Sequence, residues 1–127
     1  MNNKYFQAAA ALLLTASIAA CAAPFAYVAN EESGTLSVID TATDQVVREI
    51  PAGRKPRGMA LSKDGKLIYV SDQPNNALDI IDIEKGETVG TVALGESPEG
   101  IGISPDGMWV IAAVELSNSI AFINTRT

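Results

Sequence analysis

Three cations, Arg54, Lys55 and Arg57, fall within four residues. Guanidinium and ammonium groups at that spacing suit a carboxylate or phosphate, as an anion site or a partner-docking patch. The competing reading is a solvated loop whose charges pair with Glu31 or Glu99. Asp40 and Asp82 stand 42 residues apart, with Asn124 at the same interval beyond. Paired carboxylates could do acid–base work or hold calcium. A side chain that recurs at a fixed interval fits a structural task better, here capping a turn by accepting backbone N–H bonds. Asp64-Gly65 and Asp106-Gly107 read as turns for the same reason. With no His in the chain, no Ser-His-Asp or Cys-His relay can form within it. Cys21 is the only cysteine, so an internal disulfide and a thiolate zinc site are both excluded. No catalytic group, metal or cofactor is expected of this segment. The net charge of −6 argues against nucleic-acid binding, which needs a basic surface.

Much of the apolar content lies near the N-terminus. Lys4 precedes an uncharged run from Tyr5 to Ala20 that ends in small residues, the pattern of a secretory signal peptide over 1–22. The run is short for a membrane span, which needs about 20 residues. Two cleavage modes compete. Ala20-Cys21-Ala22 suits release of a soluble protein, whereas Ile18-Ala19-Ala20-Cys21 resembles a lipobox that would leave Cys21 lipidated. Either way the chain is expected to be exported to a bacterial periplasm, with membrane attachment only through a lipid on Cys21.

The elements that must position the candidate residues come from an internal repeat of 42 residues. Tyr27-Val28 returns as Tyr69-Val70, and Gly53, Pro56 and Gly58 return as Gly95, Pro98 and Gly100. Ser62, Asp64 and Gly65 return as Ser104, Asp106 and Gly107. Each unit holds four short strand-like runs separated by turn signals. In both copies the Asp-Gly pair is expected to supply the positive-φ positions of a tight hairpin. Four antiparallel strands in about 40 residues match one blade of a β-propeller, and a sandwich would not ordinarily repeat its sequence. The fold is therefore expected to be all-β, with four-stranded antiparallel blades. Trp109 takes the place of Leu67 one copy earlier, so packing between blades is expected of it.

Tyr27-Val28-Ala29-Asn30 and Tyr69-Val70-Ser71-Asp72 resemble the Tyr-Val-Thr-Asn signature of the YVTN family of β-propeller repeats. Ser37 to Thr43 resembles the strand and turn that follow, and Ser104-Pro105-Asp106-Gly107 its hairpin motif. Ala23 to Glu31, directly after the leader, is similar to the start of an exported subgroup associated with pyrroloquinoline-quinone-dependent alcohol catabolism. That resemblance implies a periplasmic accessory protein without an assigned reaction.

On this numbering, residues 23–127 form a partial propeller. Residues 26–51 are a first blade without its inner strand, 57–94 a complete second, and 99–124 a third without its outer strand. These two and a half blades fall short of the four to eight that close a propeller. The expectation is an N-terminal piece of a protein of roughly 300 residues, or else copies of a short chain assembled into a ring. Partners would meet loops 52–57 and 94–99 together with 30–35, 72–77 and 114–119. The function expected is non-catalytic binding, to another periplasmic protein or to the missing blades of the parent. A fragment of a lactonase-like or quinone-dependent enzyme and a surface-anchored adhesion protein are the alternatives. The mass of the mature N-terminus decides between the two cleavage modes: a diacylglyceryl adduct on Cys21 is expected only if the lipobox is used.

Overall fold

Polar turns cut the chain into ten strands. The computed structural model describes residues 25–127 and folds them into three antiparallel sheets. The leader expected at 1–22, with Cys21, lies outside the described residues. Sheet I holds β1 (Phe25–Asn30), β2 (Thr35–Asp40) and β3 (Gln45–Pro51). Sheet II holds β4 (Pro56–Leu61), β5 (Leu67–Asp72), β6 (Ala77–Asp82) and β7 (Glu87–Ala93). Sheet III holds β8 (Pro98–Ile103), β9 (Trp109–Val114) and β10 (Ser119–Asn124). Each strand bonds to its neighbour in sequence, so every sheet is a simple meander of the propeller-blade type. No helix occurs among the described residues. The all-β expectation holds.

Register repeats along with sequence. Asn30 faces Thr35 in sheet I, Asp72 faces Ala77 in sheet II, and Val114 faces Ser119 in sheet III. Even the irregularities recur. Register shifts between Val38 and Ile39 and again between Ile80 and Ile81, and the inner strands shift after Pro56 and Pro98.

The Asp-Gly turns differ from expectation in one respect. Only the glycines have positive φ, +72° at Gly65 and +74° at Gly107, while Asp64 and Asp106 do not. The hairpin is therefore a turn closed by a left-handed glycine, in which Gly65 N–H donates to Ser62 O at 2.9 Å and Gly107 N–H to Ser104 O at 2.8 Å. Each aspartate uses its carboxylate on the following backbone, accepting from Lys66 N at 3.1 Å or Met108 N at 2.9 Å. The serine hydroxyl at the turn's start donates to the same carboxylate in both copies. These exposed carboxyls are held below the ordinary aspartate range by the serine hydroxyl first and the backbone N–H second.

Alternation along each strand gives a central sheet two apolar faces. Ile68, Val70 and Ile81 meet Leu36, Val38, Ile50 and Ala52 in the seam between sheets I and II. Tyr69 and Leu78 meet Val110 in the seam between sheets II and III, with Ile80, Val92, Ile101 and Ile123 packed around them. Burial raises the Tyr69 phenol above its usual value, with Asp64 adding to the effect. Pro56 and Pro98 open the inner strands and are fully buried.

Close approach of the inner strands depends on a missing side chain. A Cβ on Gly58 would collide with the carbonyl oxygen of Glu99 and lie 2.6 Å from Ile101 N. Its repeat partner Gly100 has nothing within 4 Å of that point. Gly58→Ala is accordingly expected to cost about 1–3 kcal/mol or more through overpacking. Gly100→Ala should stay within about 0.5 kcal/mol of wild type. Thermal or urea unfolding of the two variants side by side checks this, and equal losses would contradict it.

Candidate functional site

Five connections gather at one end of the sheets, and backbone hydrogen bonds stitch them together. Ala52 N–H donates to Gly34 O at 2.9 Å, and Gln73 N–H to Lys55 O at 3.4 Å. Leu94 N–H donates to Asn76 O at 2.7 Å, and Glu115 N–H to Ser97 O at 3.0 Å. Every loop expected to form the binding end is thus tied to a neighbour, and residues from all three sheets share one surface.

Arg57, the second residue of β4, stands at the centre. Its guanidinium donates to Glu31 Oε1 of sheet I at 3.2 and 3.3 Å and to Glu99 Oε1 of sheet III. The Glu31 hydrogen bond, helped by both carboxylate charges, raises the guanidinium further above its ordinary value. Lys55 Nζ lies 3.7 Å from the same Glu31 oxygen. Gln73 Nε2 donates to Ser97 Oγ at 2.9 Å and to Glu99 Oε1 at 3.3 Å, and Ser97 Oγ donates to Glu115 Oε2 at 3.1 Å. The result is an alternating polar row from Lys55 to Glu115.

Lys55 and Arg57 therefore do what the solvated-loop reading expects and pair with the glutamates. Arg54 is different. Its backbone N–H donates to Asp72 Oδ2 at 3.0 Å, which holds the loop. Its side chain is exposed and its guanidinium has no ion pair among the described residues. Gln73, Ser97 and Glu115 are the members of the row that sequence reasoning missed. Each sits in a loop that the repeat had already placed at this end, which is the signal that could have found them.

The recurring residues are distributed by their geometry. Asp40 Oδ1 accepts Ala42 N–H at 2.8 Å, Asp82 Oδ1 accepts Lys85 N–H at 3.0 Å, and Asn124 Oδ1 accepts Arg126 N–H at 2.9 Å. Each acts on the turn that follows its own strand, at the end opposite the polar row. Tyr27 packs half-buried against the first seam. Gly53 (φ +80°) crowds Asp72, and Gly95 crowds Val114, whose Cγ1 would be 2.7 Å from an added Cβ. Trp109 lies on the face of sheet III turned away from sheet II. It is 38% exposed and lines a cavity of about 450 Å³ with Ser104, Ile111 and Phe122 on the uncovered face of sheet III. No cluster of three or more Cys, Asp and Glu side chains fit to hold a metal ion occurs among the described residues.

Meandering sheets of three or four short strands, repeated at a fixed interval and stacked face to face, define a β-propeller protein. The chain belongs to the YNCE-like β-propeller family, whose model matches residues 6–127. Its fold is similar to that of Kuenenia stuttgartiensis hydrazine synthase, with 27% identity and a TM-score of 0.74 over 78% of this chain and 29% of that one. It is also similar to a candidate 6-phosphogluconolactonase of Bacteroides uniformis, at 26% identity and a TM-score of 0.66 over 80% of this chain and 36% of that one. A second such protein, from Bacteroides fragilis, shares 22% identity and a TM-score of 0.67 over 80% and 35%. The chain thus spans roughly a third of the length of these structures. No curated protein matches it.

Exposed ion pairs are screened by salt. Arg57→Ala is expected to lower the melting temperature at low ionic strength, with most of the difference gone at molar salt. A salt-independent loss would show that Arg57 acts through packing instead.

Proposed function

We propose that the chain is a recognition module of an exported propeller, docking a partner protein across the polar row and adding no chemistry of its own. The observation that carries this reading is the arrangement around Arg57. Side chains from three sheets are locked to one another by ion pairs, and Arg54 is left projecting beside them. A pre-ordered surface loses little conformational freedom on binding, and a guanidinium without an ion pair among the described residues suits a carboxylate on a partner. Export by the 1–22 leader, with Cys21 removed or lipidated, would bring this surface to the periplasm. The similarity of Ala23 to Glu31 to the alcohol-catabolism subgroup suggests a quinone-dependent alcohol dehydrogenase or its cytochrome as the partner.

A second reading has one observation in its favour. The Bacteroides uniformis structure at 26% identity is named for a phosphorylated lactone, and Arg54 with Lys55 could meet a phosphate. One experiment separates the two. Immobilised chain is presented with purified pyrroloquinoline-quinone alcohol dehydrogenase and with its cytochrome c, and 6-phosphogluconolactone hydrolysis is followed in parallel. Docking predicts binding that Arg54→Glu weakens at least about tenfold, or about 1.4 kcal/mol, and no lactone turnover. Turnover that falls in the same variant would establish the lactonase reading, and binding unchanged by Arg54→Glu would remove the docking role of this surface.

A further inference from the structure

A pair of acids lies buried just beneath the Arg54 loop. Asp72 ends β5 and is 1% exposed, and Asp79 lies two positions diagonally across on β6 and is 8% exposed. Both point into the seam with sheet I, because they alternate with Ser71 and Leu78 on the opposite face. A Cβ built on Gly53 would be 2.7 Å from the Asp72 carboxyl carbon and 2.9 Å from Asp79 Oδ2, so the two carboxyl groups crowd one point of the Gly53 backbone. Diagonal neighbours on a sheet face are within reach of each other's side chains.

Their hydrogen bonds leave a gap. Asp72 Oδ2 accepts from Arg54 N at 3.0 Å and Asn75 Nδ2 at 2.7 Å, and Asp79 Oδ1 accepts from Thr91 Oγ1 at 2.9 Å. Asp72 Oδ1 is buried and has no donor among the described residues. A buried acceptor without a partner is costly, so its neighbourhood must supply a proton, a water, a cation or a loss of stability. The surroundings offer little positive charge. Sheet I meets this face with Leu36, Val38, Ile50 and Ala52, and Asn75 and Thr91 are neutral. The charged side chains of the adjoining loop, Arg54 and Lys55, are exposed, and Lys55 is turned to Glu31.

The repeat shows that the fold does not need acids here. The places of Asp72 and Asp79 are taken by Val114 and Ala121 one copy later and by Asn30 and Ser37 one copy earlier. Val114 packs under Gly95 as Asp72 packs under Gly53. The loops above differ accordingly. Over Asp72 the left-handed residue is Gly53, whereas over Val114 it is Ser97, whose N–H turns to Asn76 Oδ1 at 3.1 Å.

We propose that Asp72 and Asp79 share one proton, which makes the seam between sheets I and II, and the Arg54 loop above it, sensitive to pH. In the closed form Asp79 carries the proton, so that only one charge lies beneath Gly53. On deprotonation the proton leaves to solvent, and two carboxylates repel each other beneath Gly53. Burial pushes the Asp79 carboxyl above the ordinary aspartate range; the Thr91 hydrogen bond opposes this and the Asp72 charge reinforces it. A carboxyl raised in the folded state contributes stability that is complete below its unfolded value and is lost as pH rises through its folded value. The seam therefore loosens toward neutral pH.

Carboxyl 13C NMR of the full chain, titrated from acid to neutral pH, reads the proton directly. Asp79 should titrate above the ordinary aspartate range, and the Arg54 amide should shift at the same midpoint. Asp79→Asn, which supplies a fixed donor, should abolish that response. Asp72→Val with Asp79→Ala installs the pair found in sheet III, and its melting temperature should no longer fall as pH rises through that midpoint. Titration of Asp79 within the ordinary aspartate range, or an Arg54 amide that ignores it, would overturn the proposal. So would a melting temperature raised by Mg2+ or Ca2+ in wild type and not in Asp79→Asn, since the pair would then hold a cation.

Discussion

Burial of one sheet face against the next is the constraint on which the rest of this molecule depends. A strand of six residues alternates sides, so a sheet of such strands has two faces, and the central sheet buries both. That burial is possible because the inner strands come close enough for Gly58 to touch the backbone of Glu99 and Ile101. The same closeness brings the loops into contact, lets Arg57 reach carboxylates on two other sheets, and seals Asp72 under Gly53. The polar row and the acid pair are both products of the seam. Sheet III shows what the face looks like uncovered: Trp109, Ile120 and Phe122 are 38%, 62% and 63% exposed, at the places where Leu67, Leu78 and Ile80 of sheet II are packed.

Seams of one design carry different chemistry. The connection above Asp72 presents Arg54, Lys55 and Arg57, and the one above Val114 presents Glu96, Ser97 and Glu99. Pro56 and Pro98 hold both to the same frame, yet the left-handed residue moves from Gly53 to Ser97. An aspartate that can accept a backbone N–H pulls the loop onto itself, and a valine cannot. One side chain beneath the loop thus sets its path, while the charges on top decide what the surface offers.

Much of the architecture was legible before any coordinates. Strand order, the interval of 42 residues, the turn-capping roles of Asp40 and Asp82 and the turns at Asp64-Gly65 and Asp106-Gly107 follow from side chains acting on backbone a few residues away. Chemistry of that range is written in neighbouring letters. Even so, one local detail escaped: both residues of each Asp-Gly pair were expected at positive φ, and only the glycines are there, because the aspartate is more useful accepting the next N–H than turning left-handed itself.

The sequence by itself determined the repeat, the all-β class and which loops share an end, since these depend on periodicity and short-range hydrogen bonding. Tertiary structure alone decided that Arg57 would take both Glu31 and Glu99, 26 and 42 residues distant, which the sequence offered as alternatives, while Arg54 would stand without an ion pair among the described residues. It alone made Asp72 and Asp79 a buried pair, where the linear text shows two ordinary aspartates near a turn. The reason is physical. Charge pairing and desolvation depend on how closely two sheets approach and which faces meet, and no spacing within one strand encodes that distance.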